Sequence, residues 1–132
     1  MSDQNKLDPI LVVVALAFIG FAGWALFGTN HLGTQMALLT DTPSARNELR
    51  ANYGGQFLMF GVFFLLAARA QAHRASAYLL LTLGVGGLAL GRLYAIVLDG
   101  RANNFLTTLL IGEIALFGVC FWRYRSVRAA SS

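Results

Sequence analysis

Charge is scarce in this chain. Of its 132 residues, 12% are Asp, Glu, Lys or Arg and 57% are hydrophobic, whereas soluble domains carry roughly 25% charged residues. That balance excludes an ordinary soluble domain and predicts one integral membrane domain over residues 1–132. Cysteine is nearly absent. Cys120 stands alone, which rules out an intramolecular disulfide, and its place inside an apolar run marks it as a small hydrophobe. The two histidines, His31 and His73, are expected on opposite sides of a bilayer, which argues against a bis-histidine haem or a histidine metal cluster. Neither Cys-x-x-Cys nor a haem attachment motif occurs, and Lys6, the sole lysine, lies outside the apolar runs, so a retinal Schiff base in the core is excluded. No Ser-His-Asp set is available within those runs. No cofactor, metal or catalytic residue is therefore predicted. The net charge of +4 is not gathered on one face. The bases sit at the ends of apolar runs, as topology signals do, and nucleic acid is not an expected partner.

Four apolar runs are present. They predict an all-α fold, an antiparallel bundle of four transmembrane helices over about residues 9–28, 43–69, 76–98 and 104–124. Pro9 and Pro43 suit first helical positions, the second behind a Thr42 cap. A cleaved signal peptide is disfavoured, because the leading residues carry two acids against one base and Ala15-Leu16-Ala17 lies inside the apolar run. Residues 28–42 are expected as the longest loop, with Met36-Ala37-Leu38-Leu39 on the membrane surface or plugging the bundle mouth. Arg69, His73 and Arg74 are assigned to the next turn. On the third helix Gly84, Gly87 and Gly91 form a stripe suited to helix contact, as do Gly54 and Gly55 on the second. A phosphate-loop reading of Gly84-Val85-Gly86 fails, since neither a preceding strand nor a following Gly-Lys-Ser/Thr is present. Trp122 and Tyr124 look like interface anchors. Lys6, Arg69, Arg74, Arg123, Arg125 and Arg128 fall on one side and Arg46, Arg50 and Arg101 on the other, which predicts that both termini are cytoplasmic.

The polar residues within these runs carry the functional question. The second helix opens with Glu48-Leu49-Arg50-Ala51-Asn52-Tyr53-Gly54-Gly55-Gln56. Its purely apolar part, Phe57 to Ala68, spans only ~18 Å of a hydrocarbon core ~30 Å thick. The polar stretch must therefore enter the membrane. On a helical wheel Glu48, Asn52, Gly55 and Gln56 share one sector, and Arg50, Tyr53 and Gly54 lie opposite. The first sector is expected to face protein or trapped water, because lipid offers polar groups no partners. Arg92, Asp99 on the same face two turns later, and Glu113 near mid-depth complete an expected outward-opening pocket, with Arg92 as its central cation and a choice of carboxylates. The candidate ligand or ion-pair residues are thus Glu48, Asn52, Tyr53, Gln56, Arg92, Asp99 and Glu113.

In size and span count the chain is comparable to a small multidrug transporter, but those proteins place an essential glutamate in the first helix and this first helix has none. At Glu48-Leu49-Arg50-Ala51-Asn52-Tyr53-Gly54-Gly55, together with Gly87-Leu88-Ala89-Leu90-Gly91-Arg92 and Asp99-Gly100, it resembles an uncharacterised family of small four-helix bacterial membrane proteins, catalogued as a domain of unknown function. The resemblance covers nearly the whole chain. It implies a bacterial inner-membrane protein of four helices and supplies no activity, substrate or catalytic residue. Gln56 after the glycine pair extends the polar face one turn further inward.

The expected function is that of a non-enzymatic multi-pass membrane protein binding a small apolar or amphipathic molecule or lipid, or serving as an accessory subunit of a homo-oligomer or larger membrane complex. One alternative is a small proton-coupled transporter using Glu113 and Arg92 as a switchable pair. Another is a membrane enzyme on an apolar substrate, with Glu48 or Glu113 as acid or base.

Overall fold

Asp8 starts the first helix. Its carboxylate accepts from the backbone N–H groups of Ile10 and Leu11 at 3.1 and 3.3 Å, ahead of Pro9 in the first turn. In the computed structural model, which describes residues 6–130, α1 runs over Pro9–Phe27 and is apolar all round. Among the described residues the fold is all-α, without a strand. Residues 28–42 are not one loop. The Gly28 N–H closes α1 on the Trp24 carbonyl at 2.8 Å, and the chain at once re-enters a short helix, α2 (Thr29–Gln35). Gly28 is a break between α1 and α2, whereas Gly33 lies inside α2 without interrupting it. They pack against Trp24 and Thr40, where side chains larger than glycine would collide. In the turn that follows, Met36 is buried, Leu38 and Leu39 are exposed, and Ala37 takes a left-handed φ of 55°.

Thr42 then caps the next helix on the Ala45 N–H at 3.1 Å, with Pro43 in its first turn. This helix is continuous from Pro43 to Arg69 but not uniform: α3 (Pro43–Leu49), a six-residue π segment (Arg50–Gly55) and α4 (Gln56–Arg69). Extended backbone at Ala70 separates it from α5 (Gln71–Asp99), so His73 and Arg74 belong to a helix and not to the preceding turn. Gly100, at φ +87°, makes the sharp turn that L side chains resist. Asn103 caps α6 (Asn104–Ala129) on the Leu106 N–H at 2.9 Å. The third and fourth long helices are each about one and a half turns longer than the apolar runs alone indicate. Helices extend into polar flanks when caps and charges suit them, as Arg128 does in the last turn of α6.

Pro9–Phe27, Pro43–Arg69, Gln71–Asp99 and Asn104–Ala129 are each long and apolar enough to cross a membrane, with mean hydropathies of 2.6, 1.4, 1.7 and 1.9. Large apolar side chains stand outward on all four, such as Val13, Met59, Val97 and Ile111. The chain divides into two compact units, residues 6–73 and 74–130.

In the first unit α1 lies against α4. Small residues set the distance: Ala15 and Ala22 on α1, Gly61, Ala67 and Ala68 on α4, all buried. A Cβ on Gly61 would stand 2.6 Å from Ile19 Cγ1 and 3.1 Å from the Ala15 carbonyl oxygen. Beside this contact Phe18 stacks on Phe57 at 5.0 Å and meets Phe64 edge-on at 5.2 Å. The Asp8 N–H donates to the Ala68 carbonyl at 3.0 Å, which ties the start of α1 to the end of α4.

In the second unit the α5 and α6 backbones stay further apart than those of α1 and α4, and side chains bridge them. Tyr78, fully buried, has the Arg123 guanidinium over its ring at 5.5 Å, and its hydroxyl accepts from Arg123 Nε at 3.4 Å. Phe117 fills the space over Gly86, where a Cβ would come within 2.9 Å of its ring. Cys120 is fully buried. The expected stripe of Gly84, Gly87 and Gly91 does not make this contact, since among the described residues nothing beyond the local backbone of α5 lies within 4 Å of where their Cβ atoms would be. Gly86 is the α5 glycine used, because an aromatic side chain needs a hole to fill and Phe117 meets α5 at that position.

Candidate functional site: the Arg92–Glu113 pair and its cavity

The π segment turns the polar stretch of the second long helix in a way that an α-helical wheel only half describes. The two sectors do separate, but the sector packed against the neighbouring helix is the one with Tyr53 and Gly54, and Arg50, itself exposed, reaches back from that side. Gly54 is buried against Leu26, where a Cβ would sit 2.5 Å from Cδ2. Tyr53 joins Phe21 and Phe57 at ring distances of 6.1 and 5.7 Å. Arg50 donates through Nε to the buried Thr29 hydroxyl at 3.0 Å, and that hydroxyl donates to the Ala25 carbonyl at 2.7 Å. Glu48, Asn52, Gly55 and Gln56 are exposed, so this unit itself does not supply the protein side of the expected choice between protein and trapped water. Asn52 Nδ2 binds Glu48 at both its carbonyl and its Oε2, at 3.0 Å each, so this pair is satisfied within its own turn. The physical reason is close approach. The glycine lets α1 come near, and the aromatic ring beside it buries more apolar surface than an amide would. Inserting one residue per turn is a recognised feature of functional segments, and here it delivers Arg50 to Thr29.

In the second unit the expected central cation finds one of its expected carboxylates. Arg92 Nε lies 3.0 Å from both Oε1 and Oε2 of Glu113, between α5 and α6. Both side chains are largely shielded, at 22% and 13% exposure. Asp99 does not take part in the pair. Only the Nε–H of Arg92 is engaged. A guanidinium has five N–H donors, and the four on Nη1 and Nη2 have no partner among the described residues.

Next to this pair, between α5, the Gly100 turn and the start of α6, is a cavity of about 260 Å³. Arg92, Asp99 and Arg101 line it with charge, and Ile96, Leu106 and Leu110 line it with apolar surface. Asp99 and Arg101 are exposed and make no ion pair or side-chain hydrogen bond among the described residues. Arg101 is the site residue that sequence reasoning passed over, counted only as a topology charge. The signal was present: a glycine between Asp99 and Arg101 makes a tight turn that holds both side chains at one helix end. Of the seven polar candidates, Arg92, Asp99 and Glu113 come together here, while Glu48, Asn52, Tyr53 and Gln56 belong to the other unit. Among the described residues no group of three or more His, Cys, Asp or Glu side chains could hold a metal ion.

No curated protein and no solved structure is similar enough to match the chain. A family model does match, over residues 7–124, and its span takes in the first three long helices, the fourth as far as Tyr124, the π segment and the Arg92–Glu113 pair. The chain belongs to that family, described as Domain of unknown function (DUF4345).

Proposed function

We propose that this is a multi-pass inner-membrane protein, a bundle with both termini in the cytoplasm, that binds a small amphipathic molecule in the cavity between α5 and α6 without transforming it. The observation that carries this reading is the guanidinium of Arg92, engaged through one of its five N–H groups. Its charge is neutralised by Glu113 through one N–H, which leaves four donors beside a cavity in a helix apolar enough to lie in lipid. Neither Nη atom of Arg92 is fully buried, so a molecule entering the cavity can reach them, and donors without acceptors are costly where lipid replaces water. A ligand oxygen in the cavity would satisfy them, while Ile96, Leu106 and Leu110 take the apolar part of the same molecule. Glu113 serves as the fixed counter-charge that holds the arginine in place.

The test is stabilisation by ligand. Delipidated protein titrated with a lipid extract of its own host membrane should unfold at a higher temperature, because a ligand that binds only the folded state raises stability by mass action. Arg92→Leu should remove that gain. An equal gain in both proteins would contradict the reading.

A further inference from the structure

We infer that the cavity recognises a zwitterionic head carrying a phosphate and a primary ammonium, a phosphoethanolamine-type group. The inference rests on the binding role proposed above and names its ligand class.

The charges around the cavity are balanced before any ligand arrives: Arg92 and Arg101 against Asp99 and Glu113. A net-anionic or net-cationic ligand would leave one of these charges, or one of its own, without a partner, whereas a zwitterion would not. The balance is also divided in space. Glu113 is committed to Arg92, and Asp99 has no partner among the described residues, so one carboxylate remains for a cation. The N–H groups of Arg92 not directed at Glu113, and the guanidinium of Arg101, remain for an anion. Two guanidinium groups at one cavity offer more donors than a carboxylate can accept, which suits a phosphate.

The type of cation follows from what lines the cavity. A quaternary ammonium has no N–H to give and is held by aromatic faces. The lining contains no Phe, Tyr or Trp. A primary ammonium, with three donors, matches a lone carboxylate such as Asp99. The cavity lies at the end of a helical hairpin long enough to cross a bilayer, where a headgroup would meet the Gly100 turn.

The experiment is native mass spectrometry of the full chain in detergent micelles, titrated with phosphatidylethanolamine, phosphatidylcholine and phosphatidylglycerol of matched acyl chains. Phosphatidylethanolamine should be retained about tenfold more tightly than either of the others, the size of effect expected from one charge-assisted hydrogen bond. Asp99→Asn should reduce phosphatidylethanolamine to the phosphatidylcholine level, and Arg101→Gln should weaken both. Both positions are exposed at a helix end, so neither change tests folding. Soluble glycerophosphoethanolamine, a phosphodiester with the same zero net charge as the lipid head, distinguishes the source: competition assigns a free metabolite, and its failure to compete assigns a membrane lipid. Equal retention of the three lipids, all released by Arg92→Leu, would overturn the head assignment and leave the binding role standing. No retention above the Arg92→Leu level would overturn both.

Discussion

At the scale of residues, the decisive interaction is one N–H of Arg92 shared between two oxygens of Glu113. Such a pair is weak evidence for stability, because desolvation of both charges offsets much of their attraction. Breaking one side is another matter. Arg92→Leu would leave the Glu113 carboxylate, 13% exposed, facing an apolar leucine. We expect it to cost about 3 kcal/mol, measured by reversible unfolding in mixed micelles. Glu113→Gln should cost less, since a glutamine oxygen still accepts from Nε. The double variant Arg92→Leu/Glu113→Leu should regain most of the loss, because no charge remains unpaired. A double variant no more stable than Arg92→Leu would show that the pair does more than neutralise itself. The sequence pointed to Arg92 and Glu113 because charges inside apolar runs require partners. It could not choose between Glu113 and Asp99, since that depends on how far apart α5 and α6 stand, and side chains such as Phe117 set that distance.

At the scale of elements, glycine is used in two different ways. Gly61 holds α1 and α4 together, and a larger residue there meets both Ile19 and the Ala15 carbonyl. Gly61→Val should destabilise the protein by about 1–3 kcal/mol through overpacking. Gly87→Ala meets nothing within 4 Å and should be neutral or stabilising by about 0.5–1 kcal/mol, the helix cost of glycine. Thermal unfolding of the two variants side by side checks both signs. Gly100→Ala should be destabilising by more than about 1 kcal/mol, because φ +87° suits glycine alone. The four long helices were legible from run length and proline position, each a local property. The π segment was not. An α-helical wheel gives the right division of Glu48, Asn52 and Gln56 from Arg50, Tyr53 and Gly54. Which side turns inward was decided by the fit of Gly54 to Leu26 and of Tyr53 to Phe21, and such contacts across 28 or more residues have no periodic signature. For the same reason α2 was hidden within the expected loop, since the fit of its one glycine, Gly33, against Thr40 is a contact that run length and periodicity do not report.

At the scale of the whole molecule, four apolar helices and the placement of Lys and Arg frame everything else. With six bases on one side and three on the other, a fluorescent-protein fusion at the C-terminus should light up in bacterial cytoplasm, and an alkaline phosphatase fusion there should be inactive. The reverse pattern would put the Arg92 cavity on the cytoplasmic side and invert the proposed topology. The large apolar side chains exposed along all four helices then face lipid, and the charged cavity is where a molecule from that lipid could be held. The most direct test is native mass spectrometry of the protein extracted gently from its own membrane, beside Arg92→Leu treated identically. The account predicts a discrete bound mass on the wild type that is missing from the variant. A bare chain in both, or the same adduct on both, would contradict it and leave the Arg92–Glu113 pair a matter of packing.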